Sequence, residues 1–268
     1  MNCKICESGV DELFRARVLN KYEVKYFKCQ TCGFIQTETP FWMEEAYGEA
    51  INTSDVGLVS RNLNLSAFAE NLIIKQFNPG GKFIDYGGGY GLFVRLMRDK
   101  GLDFFLYEPR CENIFARYFT SADASLEGKY ELLTSFEVFE HIEDPKNEIK
   151  KMFELSDSIL FSTQLQDRFA YKSADEWWYF APETGQHIAF YTAASLEYLA
   201  NYFGCNLFSD NVGMHLFTKK KLTSDPFEDL KAHPGIMTRL FSKLLKGTTE
   251  KKLPSLLEKD FQFLKSKK

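Results

Sequence analysis

An α/β fold with a parallel, doubly wound sheet is predicted by three features of the sequence. Short runs rich in β-favouring residues, around Phe83–Tyr86, Phe104–Tyr107, Leu132–Phe136 and Ile159–Gln164, alternate with stretches of helical period. The first run breaks at Gly87, Gly88, Gly89 and Gly91 and resumes at helical spacing through Leu92-Phe93-Val94-Arg95-Leu96-Met97. The chain has 268 residues, 44% of them hydrophobic, which suffices for a sizeable core. In such a sheet ligands lie at the C-terminal ends of the strands, so the glycine turn, Glu108, Phe136 and Gln164 are expected on one rim.

Taken in order, the chain opens with Cys3-x-x-Cys6 and Cys29-x-x-Cys32. Four thiolates in two such pairs suit tetrahedral, structural zinc, and the alternation of Tyr22, Val24 and Tyr26 predicts a hairpin that brings the pairs together. Residues 1–37 are read as this zinc-binding module and 38–60 as a connector or substrate flap that includes Tyr47. Ser60 is the expected N-cap of a helix over 61–77, with an apolar stripe of Leu65, Phe68, Leu72 and Phe77. Asn78-Pro79-Gly80-Gly81 ends it.

The glycine turn comes next. Glycines permit positive φ and let backbone approach a ligand, and the following helix start offers unpaired N–H groups, as a nucleotide cofactor requires. The spacing disfavours NAD: the third glycine falls at Gly91, one position earlier than the dinucleotide fingerprint needs. Asp85-x-Gly87-x-Gly89-x-Gly91 resembles the first motif of class I S-adenosylmethionine-dependent methyltransferases. That resemblance implies that Asp85 supports the methionine end of the cofactor and that Tyr86 and the glycines line its path. Glu108, at the end of the next strand and followed by Pro109, fits as the carboxylate that accepts from both ribose hydroxyls. The resemblance also implies a seven-stranded Rossmann-like sheet with an antiparallel last strand, over a domain at 61–221.

Gly101 is the expected left-handed cap of the helix after the turn. Cys111 to Phe119 suggests a further helix, and Thr120–Asp123 a third strand or loop where the family packs adenine, which points to Ala122 and Asp123. Phe136 and Glu137 fall where the cofactor cleft is expected. Glu140, His141, Ile142, Asp144 and Pro145 resemble the family's Glu-His-Ile/Leu-x-Asp-Pro pattern, with Asp144 as N-cap and Pro145 at the first helical position. Glu140 and His141 face either the cleft or the neighbouring helix.

Asp175 to Tyr191 reads as a loop on the cofactor rim. Trp177, Trp178 and Tyr179 could stack on a sugar or cover an apolar surface. His187 suits removal of a proton from a hydroxyl, or from carbon beside a ketone, and is the candidate catalytic base. The cysteine pairs, the cofactor motifs and Gly185-x-His187-x-x-Phe190 together are similar to bacterial methyltransferases of sugar and polysaccharide biosynthesis. Sugar C-methyltransferases carry a Glu-His pair in this loop; Gln186 and His187 stand at the matching positions, so the acid is missing and O-methylation is at least as consistent. The expected substrate contacts are Tyr47, Gln164, Trp178, Tyr179 and Gln186.

Thr192 caps a helix closed by Gly204, and an antiparallel hairpin follows. Residues 222–268 form a lysine-rich helical extension with apolar positions at Ile236, Leu240, Leu244 and Leu245, then at Leu253, Leu256, Leu257, Phe261 and Leu264. These are expected to pack on their own domain or a second copy in a homodimer, the alternative being peripheral contact with an anionic membrane surface. A net charge of −4 argues against nucleic acid as partner. No apolar run is long enough for a membrane span, and the chain is read as cytoplasmic, with reduced cysteines. Two rival readings are an rRNA methyltransferase with a zinc module, which lacks here an Asn-Pro-Pro-Tyr-like motif, and a non-catalytic cofactor-binding interaction module.

Overall fold

The computed structural model describes residues 1–48, 56–166, 170–228 and 253–267. In chain order the strands are β1 (Val10–Val18), β2 (Tyr22–Cys29), β3 (Ile35–Thr37), β4 (Lys82–Tyr86) and β5 (Asp103–Tyr107), then β6 (Leu132–Phe136), β7 (Ser158–Ser162), β8 (Ala189–Phe190), β9 (Asn206–Ser209) and β10 (Met214–Thr218). The α-helices among the described residues are α1 (Met43–Ala46), α2 (Leu58–Gln76), α3 (Leu92–Asp99), α4 (Pro145–Leu155), α5 (Ala193–Phe203) and α6 (Leu257–Lys265). One sheet has the order β1-β2-β3-β8 and the other β5-β4-β6-β7-β10-β9. β4 pairs in parallel with both β5 and β6, whereas β9 and β10 form an antiparallel hairpin. Among the described residues this is a mixed sheet of six strands, not the expected seven. The expected third strand at Thr120–Asp123 is reduced to a single parallel bridge between Leu106 and Thr120. The Asp123 carboxylate accepts from both the amide and the hydroxyl of Thr120, closing a turn in place of a ladder.

The chain divides into two compact units. The first comprises Met1–Asn52, Phe136–Phe153 and Leu160–Lys219, the second Thr53–Ser135, Glu154–Ile159 and Lys220–Lys268. In the first unit the predicted hairpin is β1–β2, turned at Leu19 and Asn20, both with positive φ. Tyr26 lies across β1 on Phe14, with ring centroids 4.7 Å apart, and Phe180 meets both rings edge-on. These rings share a core with Val24, Ile35, Trp42, Tyr171, Tyr179, Ile188 and Phe190. The stretch read as a loop over Asp175–Tyr191 therefore supplies much of this core, and its β8 extends the N-terminal sheet by pairing with β3. α5 begins at a full capping box, with Thr192 and Ser195 satisfying one another's backbone amides, and ends at Gly204 with φ 62°.

In the second unit α2 buries Leu65, Phe68, Leu72 and Ile73, and Phe77 is buried at its end. It starts at Leu58, two residues before the expected Ser60 cap, and Gly57 caps it without a side-chain bond. Gly101 closes α3 with φ 88°, as expected. Cys111 to Phe119 is not a helix. Asn113 accepts from the Ala116 amide and donates to the Ala116 carbonyl, and this local pairing replaces the helical ladder.

The C-terminal positions divide. Ile236, Leu240, Leu244 and Leu245 lie outside the described residues. α6 turns Leu257 and Phe261 to solvent and buries Asp260, only 3% exposed. Asp260 accepts two hydrogen bonds from Arg98, each 2.8 Å, and Arg98 is capped by the Phe119 ring, its guanidinium carbon 3.9 Å from the ring centroid. A bidentate guanidinium–carboxylate fork therefore holds the helix where an apolar stripe was expected. No helix among the described residues is long and apolar enough to cross a membrane. Removing one partner of a buried pair leaves the other charge uncompensated, so Asp260→Ala is expected to cost about 3–5 kcal/mol in urea denaturation, and Arg98→Met/Asp260→Leu much less. A change below about 1 kcal/mol for the single variant would show the pair to be incidental.

Candidate functional site

The glycine turn lies wholly in the second unit. β4 delivers Asp85, 2% exposed, to its end, and Thr134 on the neighbouring β6 donates to Asp85 Oδ1 at 2.7 Å. Burial pushes the Asp85 carboxyl up to about 7, against the Thr134 hydrogen bond and helped by the negative charge of Glu108. Gly87, Gly89 and Gly91 have φ of 73°, 57° and 82°, a region that side-chain-bearing residues rarely occupy. Gly88 serves a different need: a Cβ there would run into the Asp85 carboxylate. Around Gly89 the space is open, with nothing within 4 Å of where a Cβ would stand.

Glu108 follows β5. Its Oε2 accepts from the Gly89 amide at 3.1 Å and its Oε1 from the Arg110 amide at 2.7 Å. A carboxylate acceptor fixed beside an open glycine turn, with a second buried carboxylate behind it, can take hydroxyl and ammonium donors of a nucleoside cofactor. Tyr86 is buried and stacks on Tyr107 at 4.6 Å, while Pro109, Ala122 and Asp123 are exposed.

Two clusters lie in the first unit. Cys3 Sγ is 3.6 Å from Cys32 Sγ, and Cys6 Sγ is 3.4 Å from Cys29 Sγ. The edges of a tetrahedron of zinc–sulfur bonds are about 3.8 Å, so the four sulfurs fit such an ion with little movement. The Ile5 amide donates to Cys3 Sγ and the Cys32 amide to Cys29 Sγ, as suits sulfurs carrying negative charge.

The second cluster forms where a 3-10 turn, Phe139–His141, runs beside Gln186–Ile188. The Ile188 amide donates to the Glu140 carbonyl at 2.8 Å, and His141 Nδ1 bonds the Gln186 carbonyl at 3.0 Å. His187 Nδ1 bonds the Tyr179 carbonyl at 2.6 Å, and the two imidazoles stand edge to face with centroids 4.9 Å apart. Burial lowers His187 from the usual imidazole range, opposed by the Tyr179 carbonyl and the charges of Glu137 and Glu183. Glu140 is fully buried and pushed up to about 8, by burial first and then by the charge of Glu137. Glu137 itself has φ 54°, and its carboxylate accepts from Ser162 Oγ at 2.5 Å. At a residue other than glycine such a backbone is costly and often marks a functional position.

The expected substrate residues divide in the same way. Tyr47 approaches His141, with centroids 6.2 Å apart. Gln186 donates its side-chain amide to the Ala46 carbonyl, and Trp42 Nε1 donates to the Gly185 carbonyl, so α1 is tied to the His187 segment. Tyr179 is buried, with its hydroxyl 3.3 Å from Thr163 Oγ1. Trp177 stacks on Tyr171, whereas Trp178 is 74% exposed, and Gln164 lies against Gly213. Thr134 and Ser162 on buried strands, and Thr163 just after β7, escape sequence reading because a buried hydroxyl carries no signal until its neighbour in the fold is known. Glu140 and His141 were visible in their motif, but their direction was not.

Fold and turn together define an α/β domain that sets two carboxylates, Asp85 and Glu108, beside an open glycine turn. The chain belongs to the family described as "Methyltransferase domain", whose model matches residues 61–209. No curated protein matches the chain. Among solved structures, mitomycin 7-O-methyltransferase MmcR is similar over 61% of this chain and 55% of its own, at 14% identity and a TM-score of 0.42. An O-methyltransferase family protein from Burkholderia thailandensis gives 12% identity over the same shares, 61% and 55%, with a TM-score of 0.42. The plantazolicin methyltransferase BpumL, in complex with SAH, gives 11% identity over 77% of this chain and 86% of its own, with a TM-score of 0.44. The match thus covers 55% of the length of each of the first two.

The turn makes a ranked prediction. Gly88→Ala forces a methyl group onto the Asp85 carboxylate and is expected to cost about 1–3 kcal/mol in denaturant unfolding. Gly89→Ala meets only backbone strain of about 1 kcal/mol. The reverse order would contradict the packing described.

Proposed function

We propose that the chain transfers the methyl group of S-adenosylmethionine to a sugar hydroxyl or carbon, in a nucleotide sugar or a polysaccharide precursor. The observation that carries the cofactor reading is Glu108 on the Gly89 amide, beside open space and the buried carboxylate of Asp85. When bound, the cofactor supplies an electrophilic methyl group on a positively charged sulfur. Asp85 is the counterion for its ammonium group, and Glu108 the acceptor for its ribose hydroxyls.

At the acceptor, His187 is the group on which loss of the proton depends, in the simplest form as the base itself. Its Nδ1–H is committed to the Tyr179 carbonyl, which leaves the Nε2 lone pair to receive a proton. As the acceptor oxygen bonds to the methyl carbon, the carbon–sulfur bond breaks and the acceptor proton passes to Nε2. A lowered imidazole pKa keeps that nitrogen unprotonated at neutral pH. The exposed ring of Trp178 and Tyr47, whose ring approaches that of His141, support a sugar acceptor, and the four cysteines support a structural zinc ion.

Cofactor affinity is expected to rise with pH, by up to about tenfold per unit between about pH 5.5 and 7, because only ionised Asp85 attracts the ammonium group and burial favours its neutral form below about 7. Asp85→Asn is expected to bind weakly with no such slope; a wild-type affinity flat over this range would contradict the assignment. His187→Ala is expected to release S-adenosylhomocysteine about 10²- to 10⁴-fold more slowly against a sugar-nucleotide panel, with cofactor affinity unchanged. Unchanged turnover would remove the role given to His187.

A further inference from the structure

The methyl transfer proposed above uses only part of the Glu140 cluster. Glu140 is 0% exposed, and neither of its carboxylate oxygens makes a well-formed hydrogen bond among the described residues, the hydroxyls of Tyr179 and Thr163 standing close enough only to favour its charged form weakly. A buried carboxylate in that state is costly unless a proton or a cation accompanies it.

What stands beside Glu140 favours a cation. His141 Nε2 lies 4.0 Å from Glu140 Oε1, and one donor atom from each of Glu140, His141 and His187 lies within 4.8 Å of the others. Both imidazoles place Nδ1 against a backbone carbonyl, Gln186 for His141 and Tyr179 for His187. A carbonyl can only accept, so Nδ1 carries the proton in each ring and Nε2 carries the lone pair. Metal-binding histidines are oriented in this way, by a carbonyl on the nitrogen that does not bind the ion. The His187 segment is braced in turn by Gln186 on the Ala46 carbonyl and by Trp42 on the Gly185 carbonyl.

We propose that Glu140, His141 and His187 bind a divalent first-row cation of the zinc class, at a site distinct from the four cysteines. Ligand atoms about 2.1 Å from a tetrahedral ion stand about 3.4 Å apart, so the Glu140–His141 pair at 4.0 Å would close by about 0.6 Å, and the other pairs, within 4.8 Å, by up to about 1.4 Å through side-chain rotation as the ion binds. Two imidazoles and one carboxylate are donors of intermediate hardness, which suit Zn²⁺ and Co²⁺ better than Ca²⁺ or Mg²⁺. Both histidines are partly exposed, which leaves a side of the ion open to water or to a substrate oxygen. Only the use of the ion rests on the methyl-transfer reading. With the ion bound, the Nε2 lone pair of His187 would be a metal ligand in place of the base described above, and an acceptor hydroxyl on the ion would give its proton to water as its oxygen takes the methyl group.

The test is metal stoichiometry in the full chain. Protein is loaded with zinc, freed of excess by gel filtration and assayed for bound metal. Wild type is expected to retain two equivalents, Glu140→Gln and His141→Ala one each, and Cys29→Ser to lose the equivalent held by the cysteines. With Co²⁺, one equivalent should show the thiolate charge-transfer bands of a cysteine site. The other should show only weaker d–d bands, absent in Glu140→Gln. A single equivalent in wild type, or a second one that survives in both Glu140→Gln and His141→Ala, would overturn the proposal. Retention of the cysteine-type cobalt spectrum shows that a variant has folded, and the wild-type count stands as a test even where a variant does not. Because the readout is metal, its failure leaves the methyl-transfer reading untouched, and an inactive chain with two ions would separate the two in the other direction.

Discussion

The hydrogen bond from Thr134 to the buried carboxylate of Asp85 is the constraint around which the glycine turn is organised. Asp85 has almost no access to water, and the Thr134 hydroxyl on the adjacent parallel strand donates to it. Burial raises the affinity of such a carboxylate for a proton, and an approaching cationic group would favour its ionised form. The glycines follow from this. Gly88 leaves room for the carboxylate, and Gly87, Gly89 and Gly91 take left-handed backbone so that the chain can turn tightly into α3. Glu108 then fixes the far side by accepting from Gly89, which makes the turn a preorganised pair of acids around backbone that a ligand can approach.

A different economy governs the first unit. Its aromatic core is built from both the N-terminal hairpin and the stretch around Trp177–Phe190, so the histidines of the site stand on the same packed scaffold as the cysteine pairs. Backbone carbonyls of Gln186 and Tyr179 set the tautomers of His141 and His187, a side chain from neither being required. The strain at Glu137 is held by the mutual bonds of its amide and carboxylate with Ser162. Rings that looked like sugar-stacking candidates separate by burial: Tyr179 is spent inside the core, and Trp178 remains on the surface.

Much of this was legible in the sequence because local chemistry determines it. The glycine turn, the position of Glu108, the cysteine pairs, Asp144 and Pro145 opening α4, and the Thr192 cap are each written in a few consecutive residues. Features that depend on distant partners were not. The helix expected at Cys111–Phe119 lost to the local pairing of Asn113 with Ala116, and the expected third strand lost to Asp123 bonding Thr120. A two-residue strand such as β8 has no periodicity to read. α6 docks through Asp260, which any amphipathic reading assigns to solvent, because only the position of Arg98 in the fold makes that acid an inward-facing one. The role of Glu140 needed the fold for the same reason: burial without a well-formed hydrogen bond is visible only in three dimensions.

Calorimetric titration of the folded, metal-replete chain with S-adenosylhomocysteine tests the cofactor site most directly, with Glu108→Leu alongside. The account predicts a single binding event in the wild-type protein and a loss of about tenfold or more in affinity when the ribose acceptor is removed. No heat of binding in wild type, or an affinity indifferent to Glu108, would contradict it.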